Sequence, residues 1–149
     1  MERQPGGAIT ELVQRIRGAA PCAAVLVLGP PDMQVRSLPT DPQPSPSGWR
    51  TPRRLQEIIE AERRAARASG AAFFDTNAAM GGEGVIDQWR QEQPPRSYGD
   101  HVHFTRNGYA TLADLFLASL MQQYDAWTRA HPRGAGSVPA PACSTLGPP

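Results

Sequence analysis

The fold of this chain is decided by one apolar run, Ala23-Ala24-Val25-Leu26-Val27-Leu28, which ends at Gly29-Pro30-Pro31. An apolar run of this length without polar alternation is typical of a strand buried on both faces, as in a parallel sheet. A second short run, Ala71-Ala72-Phe73-Phe74, ends at Asp75 and predicts another buried strand. The two runs together predict the centre of a parallel sheet.

Three amphipathic helices alternate with these strands. Apolar residues at helical spacing predict helices over about residues 8–18, 51–69 and 109–129. In the second helix, Thr51 is expected at the N-cap and Pro52 at the first helical position. Alternation of helix and strand implies a parallel sheet with helices on its faces and right-handed crossovers. The predicted fold class is therefore α/β, as part of a three-layer αβα domain of the flavodoxin-like kind.

Two strands are fewer than an open doubly wound sheet holds, which is about four to six. We therefore expect residues 1–129 to be the C-terminal portion of a domain whose N-terminal strands are missing from this chain. Residues 130–149 are rich in Pro, Gly and Ala and are expected to form a disordered tail. Segments 30–52 and 76–108 are expected to be long loops, with one helical turn near 85–91.

Charge and hydropathy exclude several classes of function. The formal net charge is +1, so the composition does not indicate a nucleic-acid partner. No stretch is long and apolar enough for a membrane span, and the N-terminus lacks the apolar core of a signal peptide. Cys22 and Cys143 have no metal-ligand spacing, and Cys22 is expected to be buried. The chain as it stands would be cytoplasmic, with no metal or other cofactor.

Chemistry is concentrated in Asp100-His101-Val102-His103-Phe104-Thr105, just before the last helix. A carboxylate three residues before an imidazole can accept a hydrogen bond from Nδ1 and leave Nε2 free to take a proton. The alternatives are a structural cap and, less favoured, a metal site, because ligands so close in sequence rarely fit one tetrahedral ion. His101 is expected to point to solvent.

Other polar or aromatic positions have weaker interpretations. Gly81 and Gly82 begin a glycine-rich segment that lacks the Gly-Lys-Ser/Thr ending of a phosphate loop, so a pocket rim is expected there. Trp89 is expected either to line an acyl or sugar pocket or to pack against the sheet edge. Asp32 and Asp75 follow the two strands and are expected to cap loops.

These segments together resemble the C-terminal half of an SGNH/GDSL-type hydrolase, over about residues 8–127. The resemblance rests on Val27-Leu28-Gly29-Pro30-Pro31-Asp32, Phe74-Asp75, Met80-Gly81-Gly82 and Asp100-x-Val102-His103-Phe104-Thr105-x-x-Gly108-Tyr109. It implies that His103 is the general base and Asp100 its orienting carboxylate in a Ser-His-Asp triad that hydrolyses esters.

The nucleophile and oxyanion residues that the family requires are not found in this chain. None of the eight serines follows a Gly-Asp pair after a strand, and Asn77 follows the wrong strand for an oxyanion residue. The resemblance implies hydrolysis of a small-molecule, lipid or glycan ester, with this chain inactive alone. A non-catalytic remnant or interaction module, or one half of a split esterase, are the alternatives. Family members are often exported, so the localisation stays undetermined.

Overall fold

The computed structural model describes residues 5–132 of the chain. Cys143 and nearly all of the predicted tail lie outside the described residues. In chain order the elements are α1 (Pro5–Ala19), β1 (Leu26–Leu28), β2 (Val35–Arg36), β3 (Trp49–Arg50), α2 (Leu55–Ala68), β4 (Ala72–Phe74), α3 (Thr76–Met80), α4 (Val85–Gln91) and α5 (Arg106–Ala130).

β1 and β4 pair in parallel, with Leu28 opposite Phe74, as the two apolar runs predict. Successive side chains of a strand point to opposite faces. Phe73 accordingly packs among the apolar residues of α1 and α2. Phe74 instead meets Phe116 of α5 edge to face, with ring centroids 5.3 Å apart. The sheet therefore lies between two helical layers.

The prediction that β1 is buried on both faces is wrong. Leu26 is 43% exposed and Leu28 is 61% exposed, whereas Val25 and Val27 pack against the apolar residues of α1 and α2. The N–H of Gly29 donates to the carbonyl of Phe74 at 2.9 Å. Because backbone groups alternate in direction along a strand, those of Leu26 and Leu28 point away from β4. This second edge of β1 is unpaired within residues 5–132.

A second core lies beneath α4 and the first turns of α5. Its buried members are Met80, Val85, Ile86, Trp89 and Phe104, with Leu112 and Leu115 packed against them. Trp89 and Phe104 meet edge to face with ring centroids 5.8 Å apart, a geometry that favours aromatic pairs by about 0.5–1.5 kcal/mol. Because Phe104 belongs to the segment before α5, this core fixes that segment to the rest of the domain.

Two parts of the predicted loops are ordered elements. β2 and β3 form an antiparallel pair within segment 30–52, with Val35 opposite Arg50. Strands of two residues show no detectable periodicity, so the sequence does not predict them. α3 follows β4 directly because the Asp75 carboxylate accepts the Ala78 N–H at 2.8 Å and caps the helix. The helical turn predicted near 85–91 is confirmed as α4.

Two local predictions are corrected. α2 begins at Leu55, not near Thr51, with Arg54 at the N-cap and no side-chain cap. Pro52 stands in the turn before the helix, where its carbonyl accepts the Leu55 N–H at 3.0 Å. Cys22 is exposed rather than buried, because it lies in the turn between α1 and β1.

Candidate active site

Asp100 and His103 form a hydrogen-bonded pair in the turn before α5. Asp100 Oδ2 lies 2.7 Å from His103 Nδ1. Asp100 Oδ1 accepts the backbone N–H groups of Val102 and His103, each at 3.0 Å. The His103 amide, the His103 ring and the Val102 amide together hold the pKa of Asp100 well below its usual range. The carboxylate therefore stays ionised while it orients the imidazole.

The pair is open to solvent. The side chain of His103 is 69% exposed and that of Asp100 is 49% exposed. Within residues 5–132, His103 Nε2 has no hydrogen-bond partner. This nitrogen is therefore available to accept a proton from an external group.

Backbone hydrogen bonds fix the pair to the start of α5. The Tyr98 N–H donates to the carbonyl of His103 at 2.9 Å, and the Thr105 N–H donates to the carbonyl of Arg96 at 2.9 Å. Thr105 is also the N-cap of α5, where its hydroxyl oxygen accepts the Gly108 N–H at 3.2 Å. Gly108 is required at its position, because an added Cβ would lie 1.9 Å from the Arg96 oxygen.

His101 is buried, and the prediction that it points to solvent is wrong. It is 3% exposed, and its ring stacks on Trp49 with centroids 3.9 Å apart. His101 Nδ1 lies 2.8 Å from Oε1 of Gln34. Burial lowers the pKa of His101, and nearby arginines lower it further, so the ring is neutral at neutral pH. No pattern in the sequence marks Trp49 or Gln34 as partners of His101, because both stand in a proline-rich segment without periodicity.

Asp32 connects the loop after β1 to α4. It is fully buried, and its Oδ2 accepts the Ile86 N–H at 2.9 Å. Burial raises the pKa of Asp32, and the Ile86 amide offsets only part of that rise. Both carboxylates were expected to cap loops, but they accept N–H groups at helix starts: Asp32 from the first turn of α4, and Asp75 as the N-cap of α3.

A cavity of about 440 Å³ opens between the β2–β3 pair and the loop before α4. Its polar walls include Gln34, Ser45, Arg50, Gln56 and Glu83. Gly84 lines it, but the predicted rim residues Gly81 and Gly82 do not. Trp89 is 3% exposed and packs in the core beneath α4, and it lines neither this cavity nor the next one.

A more apolar cavity of about 630 Å³ lies between the end of β4 and α5. Phe73, Phe74 and Leu115 line it. None of its lining residues belongs to the turn that carries Asp100 and His103.

No hydroxyl nucleophile meets His103 in the described part of the chain. Ser97 is buried and donates to the carbonyl of Ile86 at 2.7 Å. Asn77 is also buried, and its Oδ1 accepts a hydrogen bond from Gln56 at 3.2 Å. Over the described range, no three His, Cys, Asp or Glu side chains converge as a metal site. No helix between residues 5 and 132 is long and apolar enough to cross a membrane.

The family model of GDSL-like lipases and acylhydrolases matches residues 1–111, a range that contains both Asp100 and His103. The chain belongs to the GDSL-like lipase/acylhydrolase family, which confirms the resemblance inferred from the sequence.

Among solved structures, the chain is similar to a peptidoglycan O-acetylesterase, with 26% sequence identity and a TM-score of 0.66. The similarity covers 81% of this chain and 32% of that chain, so this chain spans about a third of that protein's length. It confirms the predicted α/β fold with parallel strands of the SGNH hydrolase type. No curated protein sequence matches the chain significantly.

Proposed function

We propose that this chain supplies the general-base half of an SGNH-type ester hydrolase, with His103 as the base and Asp100 as the group that orients it. The observation that carries the proposal is the 2.7 Å hydrogen bond between Asp100 Oδ2 and His103 Nδ1. It leaves Nε2 unoccupied and exposed. Membership of an acylhydrolase family supports ester hydrolysis as the class of reaction.

The pair acts through one proton. A hydroxyl attacks the ester carbonyl carbon while its proton passes to His103 Nε2, and Nε2 then gives that proton to the leaving alkoxide. Asp100 keeps Nδ1 protonated and stabilises the imidazolium that forms in between. A second round, in which water is the nucleophile, releases the acid and restores the hydroxyl.

Residues 5–132 are proposed to have negligible esterase activity alone, since no hydroxyl is placed at Nε2 within them. Loss of one triad member costs about 10⁴-fold or more in rate. Loss of an oxyanion donor costs about another 10²–10³-fold. Both losses together would remove most of the rate enhancement of a typical esterase.

For the substrate, we propose an O-acylated glycan rather than a lipid. Gln34 lines the polar cavity and hydrogen-bonds His101, two residues from the base. Polar walls can hydrogen-bond sugar hydroxyls, whereas an acyl chain favours apolar walls. The similar solved structure is named as a peptidoglycan O-acetylesterase, which supports the same class of substrate.

Activity is tested with two esters, an O-acetylated peptidoglycan fragment and 4-nitrophenyl acetate, which free imidazole itself attacks. We expect no acetate release from the glycan above background. We expect 4-nitrophenyl acetate to react no faster than with N-acetylhistidine at equal concentration. Glycan turnover that disappears in His103→Ala but persists in His131→Ala would overturn the proposed inactivity.

The role of the pair is tested separately by nuclear magnetic resonance. At a pH of about 8.5, where imidazoles are neutral, long-range ¹H–¹⁵N spectra report which ring nitrogen carries the proton. We expect the Nδ1–H tautomer for His103 in the native chain and a shift towards Nε2–H in Asp100→Ala. A native His103 that is mainly Nε2–H would contradict its assignment as the oriented base.

A more specific form of this proposal is that the chain is one half of a split esterase, which the open edge of β1 favours. The backbone groups of Leu26 and Leu28 face away from β4, and an exposed strand edge is a template for a strand of another polypeptide. α5 also exposes apolar residues at helical spacing, namely Leu117, Leu120, Met121, Tyr124 and Trp127.

Hydrogen exchange tests whether a second polypeptide pairs with β1. The chain is co-expressed with a separate polypeptide that carries a Gly-Asp-Ser segment after a strand. A split esterase predicts that the Leu26 and Leu28 amides become protected and that glycan deacetylation appears. The Gly29 amide, which donates to Phe74, is the internal control and stays protected with or without the second polypeptide. Unchanged exchange together with no activity would exclude this pairing.

A further inference from the structure

We propose that His101 is a positioning residue that clamps the turn of Asp100 and His103 to the β2–β3 pair. This inference rests on the proposed function, because it concerns the residue that holds the proposed base in place. Three independent features of His101 support it: its backbone conformation, the contacts of its ring, and its neutral charge state.

The backbone of His101 is in a conformation that side chains rarely adopt. Its φ is +58°, in the left-handed region that favours glycine. The His101 N–H donates to the carbonyl of Tyr98 at 3.2 Å, and its carbonyl accepts the Gln34 N–H at 2.9 Å. This conformation reverses the chain between Asp100 and His103. Glycine would adopt it without steric cost, so the histidine side chain must contribute something that glycine lacks.

The imidazole of His101 supplies contacts to two separate positions of the hairpin region. Its ring lies on Trp49 at an interplanar angle of 14°, and its Nδ1 is 2.8 Å from Gln34 Oε1. Arg36 lies over the same indole, 4.2 Å from the ring centroid. Gln34 directly precedes β2, and Trp49 belongs to β3. Both therefore contact the same side chain, which is 3% exposed.

Burial of the His101 ring favours its neutral state, although a carboxylate lies nearby. Asp87 Oδ1 lies 3.7 Å from His101 Nδ1. Burial, Arg90 and Arg36 lower the pKa of His101, against the opposing effects of Asp87 and Asp100. The ring is neutral near pH 7, and the Gln34 oxygen beside Nδ1 favours the tautomer that is protonated there. A neutral ring stacks on indole without the cost of burying a charge.

Only Val102 separates this clamp from the base. Without the ring of His101, the turn would keep the Tyr98–His103 backbone hydrogen bond but lose its contacts with Trp49 and Gln34 Oε1. The side chains of Asp100 and His103 are themselves largely exposed, so their orientation depends on the backbone of the turn that carries them. We therefore expect the turn to remain folded while Asp100 and His103 lose their fixed relative orientation.

The test measures the His103 tautomer at a pH of about 8.5 in His101→Gly, which tolerates the positive φ but has no ring. We expect the ratio of Nδ1–H to Nε2–H to fall by about tenfold, the factor that corresponds to one lost hydrogen bond. Trp49→Ala should also lower this ratio. Trp49→Phe keeps an aromatic face for the His101 ring, so its ratio should lie close to that of the native chain.

His131→Gly is the matched control. His131 also stacks on a tryptophan, Trp127, with centroids 4.8 Å apart, but at the far end of α5. An unchanged ratio in both His101→Gly and Trp49→Ala would overturn the inference, as would an equal change in His131→Gly. If His101→Gly does not fold, the two Trp49 variants decide alone. A native chain with no Nδ1–H preference would instead refute the proposed function itself.

Discussion

Replacing Gly108 by alanine is expected to destabilise the protein at the point where α5 meets the loop of the proposed base. Gly108 is buried in the first turn of α5. An added Cβ would lie 1.9 Å from the oxygen and 2.9 Å from the carbon of the Arg96 carbonyl. That carbonyl already accepts the Thr105 N–H, so it cannot move away from the new Cβ without weakening this hydrogen bond.

The magnitude follows from these distances. Ordinary contact begins at 3.4 Å, so the two backbone segments must separate by 3.4 − 1.9 = 1.5 Å. Overpacking of this kind costs about 1–3 kcal/mol, and the weakened hydrogen bond costs about 1 kcal/mol more. The better helix propensity of alanine returns about 1 kcal/mol. The net loss is about 1–3 kcal/mol, which lowers the Tm of a chain of this length by about 2–12 °C.

Urea and thermal unfolding followed by far-ultraviolet circular dichroism measure this loss. Gly18→Ala is the matched control, because Gly18 also lies in a helix and an added Cβ there meets nothing within 4 Å. That control is expected to raise the free energy of unfolding by about 0.4–1 kcal/mol. A Gly108→Ala variant as stable as the native chain would refute the steric reasoning.

Three further predictions concern the buried groups near the site. Asp32→Ala leaves the buried Ile86 N–H unpaired and should lower the free energy of unfolding by about 1–3 kcal/mol, measured with urea. An unchanged urea midpoint would mean that this hydrogen bond adds nothing to stability. Trp89→Ala should lower the free energy of unfolding by about 3–5 kcal/mol in the same assay, because removal of a ring that is 3% exposed leaves a cavity. A loss under about 1 kcal/mol would contradict the place of Trp89 in the core. His101 has a lowered pKa in the folded state, so its contribution to stability is present above its unfolded pKa of about 6.5 and is lost as the pH falls below that value. Unfolding measured between pH 5 and 8 (about the range in which a histidine titrates) should show this decline, and His101→Asn should flatten it.

The parts of the fold that the sequence predicts are those whose signal is local. Apolar runs mark β1 and β4, and helical spacing of apolar residues marks the long helices, so their order implies the layers. The exposure of Leu26 and Leu28 was not predictable, because an apolar run does not reveal which faces other elements cover. The β2–β3 pair was missed because each strand has only two residues.

The site shows the same difference between residues with a local sequence signal and residues that meet only in the folded structure. Asp100 and His103 are three residues apart, so their spacing alone brings carboxylate and imidazole within reach. His101 and Trp49 meet through tertiary structure, across a proline-rich segment without periodicity. The sequence therefore identifies the pair proposed for catalysis but not the residues that fix its position.

The exposure of His103 has a consequence for the electrostatics of any ester hydrolysis at this site. In water, with a dielectric constant of about 80, an ion pair at 4 Å gains only about 1 kcal/mol, and its charges are further screened by salt. An imidazolium formed on a ring that is 69% exposed gains correspondingly little from the Asp100 carboxylate. For the proposed hydrolysis, water must therefore be excluded from this face, because a low local dielectric makes the pair effective.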